Sequence, residues 1–136
     1  MIVDSSAVIA VVRLEPDAAL FLGAFQQVAR ARMSAASYLE TSIVVDAYRN
    51  PVLSRRLEDF LGEAGIGIEP VTVEQAKVAR EAYRDYGRGS GHPARLNFGD
   101  CFSYALARVT GEPLLYKGDD FSHTDLRPAV PAPDGH

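Results

Sequence analysis

Short apolar runs alternate along this chain with longer stretches whose apolar positions recur every three or four residues. "MIV" reads as a strand, and "SSAVIAVV" follows as a helix beginning at Ser5 or Ser6. In "EPDAALFLGAFQQVARA", Asp17 stands where a helix cap belongs, and Leu20, Phe21, Ala24, Phe25 and Val28 share a face, which predicts a helix over 17–31. "RMSA" reads as a brief strand leading into "SYLETSIVVDAYR", a helix with Leu39, Ile43 and Ala47 on one side. Pro51 interrupts; a stripe of Leu53, Leu57, Phe60, Leu61 and Ala64 then predicts a helix over 51–65, stopped at Gly65. "IGIEPV" is strand-like, and "TVEQAKVAREAYRDYG" opens with a Thr-x-x-Gln capping box at Thr72 and Gln75 and stops at Gly87. The glycine-rich "GRGSGHPARLN" is a loop by composition. "FGDCFSYALARVTG" is helical, with Phe98, Phe102, Ala105 and Val109 in its stripe, and "PLLYK" is a last strand.

Strands separated by helices predict a parallel sheet covered on both faces, a three-layer α/β/α sandwich. No repeat or linker divides the chain. The expected organisation is one domain over 1–127 and a flexible tail over 128–136, where "PAVPAPDGH" holds too much proline for regular structure. Ligands of such sheets bind beyond the carboxyl ends of the strands. The end of "MIVD" and the end of "LLYKGDD" should therefore meet at one rim.

Composition narrows the picture modestly. A chain of 136 residues with 47% hydrophobic residues can bury a single core. No apolar run approaches the roughly 20 residues that cross a bilayer, and the N-terminus lacks the pattern of a secretory signal. The single cysteine, Cys101, fits a reducing compartment, so a cytoplasmic location is expected. A net charge of −4 argues against nucleic acid as a partner unless the acids surround a metal ion, which reverses the local field.

The acids that stand out are Asp4, Glu40, Asp100 and the pair Asp119–Asp120. Each has a structural explanation. Ser37 with Glu40, and Asn97 with Asp100, have capping-box spacing; acids in first helical turns favour the helix dipole; Asp4 is a plausible cap and "GDD" a plausible turn. Converging on one rim, however, they would repel one another and raise their pKa values unless a cation were present. All-oxygen donors suit Mg²⁺ or Mn²⁺, and no cysteine–histidine spacing suggests zinc.

The blocks "MIVDSSAVIAVVRLEPDA", "MSAASYLETSIVV", "LNFGDCFSYALA" and "PLLYKGDDFSHTD" together resemble PIN-domain toxins of the VapC type, in order and over nearly the whole chain. The resemblance implies an endoribonuclease that cleaves RNA with Mg²⁺- or Mn²⁺-activated water, forms a homodimer and is held inactive by a VapB-type antitoxin. It places the family's acids on Asp4, Glu40 and Asp100. Asp4 and Asp100 would bind the principal ion, while Glu40 and a fourth acid would complete the pocket through water or hold a second ion. Many relatives carry that fourth acid where this chain has Gly118; Asp120 matches the commoner pattern, with Asp119 in support. Ser6 matches the hydroxyl that orients the first aspartate.

Around the acids, Arg88, His92 and Arg95 are candidates for RNA backbone contact or for a solvated loop. Lys117 is a candidate for phosphate contact or for charge balance beside the acids. Tyr38, Tyr104 and Phe98 have base stacking or the core as alternatives. Metal-free acid–base chemistry through His92 and His123 is set aside, because one lies in a loop and the other has no visible partner. Cys101, on an apolar side, is read as inert. Two rival classes remain. A haloacid-dehalogenase-like phosphatase shares the strand ending in aspartate but needs a second aspartate where Ser6 stands. A non-catalytic PIN or receiver-like module would act only through partners. The apolar faces over 17–31 and 51–65 are candidate surfaces for an antitoxin segment or a second copy.

Overall fold

The computed structural model of the chain describes residues 1–130. Its strands are β1 (Ile2–Val3), β2 (Ala31–Ser34), β3 (Ile66–Glu69) and β4 (Leu114–Leu115). Between them run α1 (Ser5–Val12), α2 (Ala18–Gln26), α3 (Ala35–Asp46), α4 (Pro51–Glu63), α5 (Val73–Tyr86) and α6 (Phe98–Thr110), and a 3-10 turn covers Asp120–His123. All pairings are parallel, in the order β3-β2-β1-β4.

That order positions the site. The chain steps from β1 outward to β2 and β3, then returns across the sheet to place β4 on the other side of β1. Successive residues of the short strands point to opposite faces. Met1, Val3 and Leu115 bury with α1, α2 and α4, whereas Ile2 and Leu114 bury with α5 and α6. Helices thus cover both faces, the expected three-layer sandwich. Strand order reverses between β1 and β4, and the crevice at such a reversal is where open α/β sheets bind ligands. Asp4 stands at the carboxyl end of β1, in that crevice.

Local signals set most element ends. Asn50 caps α4 by accepting from the Val52 amide, and Gly65 adopts φ 63° just beyond its end. Thr72 accepts from the Gln75 amide at the start of α5. Gly87 ends α5 for another reason: a Cβ there would collide with Tyr83.

α2, α3, α6 and the segment after residue 127 depart in part from the sequence reading. α2 stops at Gln26 rather than near residue 31, because Ala31 is taken into β2 beside β1 and β3. Asp17 makes no side-chain cap there; its carboxylate pairs with Lys117 instead. α3 is turned around: Ser37, Thr41 and Val45 are buried, while Leu39 is 58% and Ile43 60% exposed. Periodicity registers the apolar stripe of a helix but not the direction in which it faces. In α6, Ala105 is buried as expected, but Phe98 is 76% exposed, its ring edge-to-face with Phe102 at 5.0 Å, and Cys101, Tyr104 and Leu106 fill the core. Beyond residue 127 the chain still pairs with β4. The Leu114 amide donates to Arg127 O (2.9 Å) and the Ala129 amide to Leu114 O (2.8 Å), while Ala129 and Val130 pack on the core. The rest of the expected tail, 131–136, lies outside the described residues.

Candidate active site

Asp4 follows β1 and caps α1, so its backbone is fixed by the sheet and its side chain by the helix start. The Asp4 amide donates to Leu115 O of β4 (2.9 Å). One carboxylate oxygen, Oδ2, accepts from the Ser6 amide (3.0 Å) and from Ser6 Oγ (2.7 Å). The other, Oδ1, accepts from Ser103 Oγ of α6 at 2.5 Å. Only 4% of Asp4 is exposed. Ser6 Oγ also accepts from the Lys117 amide (2.9 Å), tying the end of β1 to the segment after β4.

Asp100 forms the capping box of α6 with Asn97. The Asn97 amide donates to Asp100 Oδ2 (3.0 Å) and the Asp100 amide to Asn97 Oδ1 (2.8 Å). The structural explanation for Asp100 is therefore correct, but it occupies one carboxylate oxygen only. Its pKa is pushed up to about 7, first by burial and then by the negative charges of Asp4, Asp120 and Glu40, against the lowering effect of the Asn97 amide. The three other acids thus act electrostatically on Asp100, although 96 positions separate it from Asp4 along the chain.

Glu40 is not part of a capping box. Ser34 caps α3 by accepting from the Ala36 amide, so Glu40 sits in the second turn rather than the first. Its Oε1 accepts from Ser5 Oγ (2.9 Å). Its carboxylate lies against Gly99 of α6, where a Cβ would collide with it. A glycine next to Asp100 thereby allows α3 to bring its acid up to α6.

Asp120 and Asp119 diverge. Asp120, at the start of the 3-10 turn, is among the charges felt by Asp100. Asp119 instead adds to burial in raising the pKa of the Tyr116 hydroxyl, and lines a cavity of ≈ 830 Å³ with Asp17, Phe21, Tyr116, Lys117 and His123. The Lys117 ammonium pairs with Glu15 (2.6 Å) and Asp17 (3.2 Å). Arg88 and Arg95 are exposed on a loop whose neck is closed by Arg88 N–H to Leu96 O (3.0 Å) and Leu96 N–H to Tyr86 O (2.9 Å). His92 Nδ1 accepts from the Ala94 amide within this loop. Tyr104 belongs to the core, its hydroxyl donating to Asp125 (2.7 Å), whereas Tyr38 and Phe98 are exposed. Burial pushes the Cys101 thiol up to about 11, consistent with an inert side chain.

The donors fit a small hard cation. Among the described residues no three or more of His, Cys, Asp and Glu form a ready-made metal cage. Mg²⁺ does not require one, since it usually takes one or two carboxylates and keeps several waters. Asp4 retains lone-pair capacity beyond its three hydrogen bonds, and Asp100 retains a whole oxygen. The missing aspartate at Ser6 leaves the phosphatase alternative without its second carboxylate.

The family model described as PIN domain matches residues 1–126. The chain belongs to the PIN-domain family. Similar proteins include Ribonuclease VapC28 of Mycobacterium tuberculosis, 57% identical across 96% of this chain and 98% of that one. Another is VapC ribonuclease Mb2780c of Mycobacterium bovis, 54% identical across 95% of this chain and 98% of that protein. Among solved structures, Mycobacterium tuberculosis VapC20, described as a sarcin-ricin loop cleaving toxin, superposes with a TM-score of 0.72 at 17% identity, covering 92% of this chain and 95% of that one. A toxin–antitoxin complex from Klebsiella pneumoniae gives 0.68 at 16% identity, covering 89% of each chain. These two likenesses support the sandwich fold of this PIN domain.

The sequence reading missed Ser5, Ser37, Ser103 and Gly99 as parts of this PIN-domain site. A signal for two of them was present. Ser37 stands three residues before Glu40 and Ser103 three residues after Asp100, spacings that put each serine on the same helical face as an acid.

Proposed function

We propose that the chain is a VapC-type toxin: a divalent-metal-dependent endoribonuclease that hydrolyses RNA phosphodiester bonds. The observation that carries this reading is the raised pKa of Asp100 under burial and the charges of Asp4, Asp120 and Glu40, at the crevice between β1 and β4. A buried acid crowded by other carboxylates, at a cost to its own ionisation, is understandable where a cation compensates it. The identity of the nearly full-length VapC relatives supports the same activity.

Asp4 and Asp100 would hold Mg²⁺ or Mn²⁺, with Glu40 and Asp120 completing the pocket through water. The ion, when bound, would lower the pKa of a water and stabilise negative charge on the phosphate. Ser6 holds Asp4 in one orientation, the Asn97 amide does the same for Asp100, and Gly99 leaves room for Glu40. No side chain forms a covalent bond to the substrate in this reaction. Arg88 and Arg95 extend from the loop before α6, where contact with the RNA backbone would position a strand without reading its sequence. The proposed partners are an antitoxin of the VapB type and a second copy of the chain, and the proposed compartment is the cytoplasm. Among the described residues no helix is long and apolar enough to cross a membrane.

The test is RNA cleavage by purified protein with Mg²⁺, with Mn²⁺ and with EDTA, together with sequencing of the cut ends. Cleavage should require the metal and disappear in Asp4→Asn and Asp100→Asn, with circular dichroism unchanged. Wild-type rates from either variant would refute the assignment.

A further inference from the structure

Several helical hydroxyls in this chain satisfy themselves locally. Thr41 donates to Ser37 O (2.7 Å), Ser42 to Tyr38 O (2.8 Å) and Thr110 to Leu106 O (2.7 Å), each back to the carbonyl four residues earlier. Ser37 and Ser103 do not. Ser103 Oγ reaches from α6 to Asp4 Oδ1 at 2.5 Å, and Ser37 Oγ of α3 lies 3.1 Å from Ser103 Oγ. Both serines are buried.

Chemistry sets the direction of this chain of contacts. An ionised carboxylate only accepts, so the single hydroxyl proton of Ser103 is committed to Asp4. The Ser103 oxygen is then left as an acceptor, and the proton between the two serines must come from Ser37. The result is a one-way relay, Ser37 to Ser103 to Asp4, linking α3, α6 and the tip of β1. Asp4 is gripped from both ends, by Ser6 on Oδ2 and by this relay on Oδ1.

We propose that Ser103, supported by Ser37, is a positioning residue that fixes the rotation of the Asp4 carboxylate for metal binding. This inference rests on the reading of Asp4 as a metal ligand. Partners of metal ligands are typically worth about 10- to 100-fold in metal affinity. Without the Ser103 hydroxyl, a buried carboxylate oxygen loses its donor and the carboxylate loses one of its two restraints.

The experiment is calorimetric titration with Mn²⁺ of wild type, Ser103→Ala, Ser37→Ala, the double variant and Asp4→Asn, with thermal melting in EDTA alongside. Ser103→Ala should weaken Mn²⁺ binding by about tenfold or more, and Ser37→Ala by less. The double variant should match Ser103→Ala, because Ser37 acts only through Ser103. Melting in EDTA should fall in Ser103→Ala, because buried Asp4 Oδ1 loses its donor; that fall is read separately from the Mn²⁺ affinity of the folded protein. The electron-spin-resonance spectrum of bound Mn²⁺ should change in Ser103→Ala, a signature that simple packing loss does not produce. Wild-type affinity in Ser103→Ala beside lost affinity in Asp4→Asn would overturn the relay alone, as would additive losses in the double variant. Wild-type affinity in Asp4→Asn would overturn the ligand reading and the relay with it. Were Ser103→Ala to misfold, Ser37→Ala would decide the matter: unchanged Mn²⁺ affinity there would overturn the relay.

Discussion

Gly99 and Asp100, adjacent in α6, show how single residues serve the site at the expense of stability. Asp100 titrates near pH 7 when the ordinary carboxylate value is 3.8. The folded state therefore holds a proton that the unfolded chain has already released over the window between those values, and stability falls as pH rises through it. Asp100→Asn keeps an acceptor for the Asn97 amide and removes the charge. In EDTA this variant should unfold at higher denaturant than wild type at pH 8, and the difference should vanish near pH 4. Chemical denaturation at both pH values checks it; equal midpoints at pH 8 would show that Asp100 carries no such cost. Gly99→Ala acts differently. Alanine is ordinarily favoured over glycine in a helix by up to about 1 kcal/mol, and the atoms nearest an added Cβ belong to the flexible end of Glu40. The variant should be as stable as wild type or slightly more so, yet cleave RNA about tenfold more slowly because the Glu40 carboxylate is displaced. Melting and a cleavage assay on one preparation separate the two effects.

Among the elements, α3 and α4 have opposite burdens. α4 presents Leu57 to the core with Leu53, Phe60 and Leu61 packed around it, as its stripe predicts. α3 directs Ser37 and Thr41 inward, Ser37 against Ser103 of α6 and Thr41 back onto its own helix, and leaves Leu39 and Ile43 in solvent. The consequences for stability follow from burial rather than from hydrophobicity. Leu57→Ala should cost about 2–5 kcal/mol by loss of buried contacts and creation of a cavity. Ile43→Ser, on an exposed face, should stay within about 0.5 kcal/mol of wild type in the monomer. Urea denaturation of both variants is the measurement, and comparable losses would mean that the outer face of α3 is covered in the protein as studied.

For the molecule as a whole, the parallel sheet with its reversal between β1 and β4 is the feature that assembles the site. It brings Asp4 from the first strand beside α6 and the segment after β4, while α3 supplies Glu40 from across the crevice. The outer edge of β4 is closed by residues beyond the expected domain boundary, through the bonds of Leu114 with Arg127 and Ala129. Ending the chain after Leu126 should therefore cost about 2 kcal/mol, two backbone hydrogen bonds at about 0.5–1.5 kcal/mol each. Comparison of its denaturation midpoint with that of the full chain tests this; identical midpoints would mean that these two bonds add nothing to stability.

Much of this was legible along the chain because its causes are short-ranged. The order of strands and helices follows from short apolar runs alternating with stripes of helical period, the α5 and α6 starts from Thr72 and Asn97, and the candidate acids Asp4 and Asp100 from their places at a strand end and a helix start. What tertiary structure alone decided depends on residues distant in sequence. Which way α3 faces, whether Asp119 or Asp120 acts on Asp100, where Lys117 finds its partners and which hydroxyl reaches Asp4 are set by packing between elements. The contact between Ser103 and Asp4 joins positions 99 residues apart. Local propensity has no term for such a pair, and only the closing of the sheet brings the two side chains together.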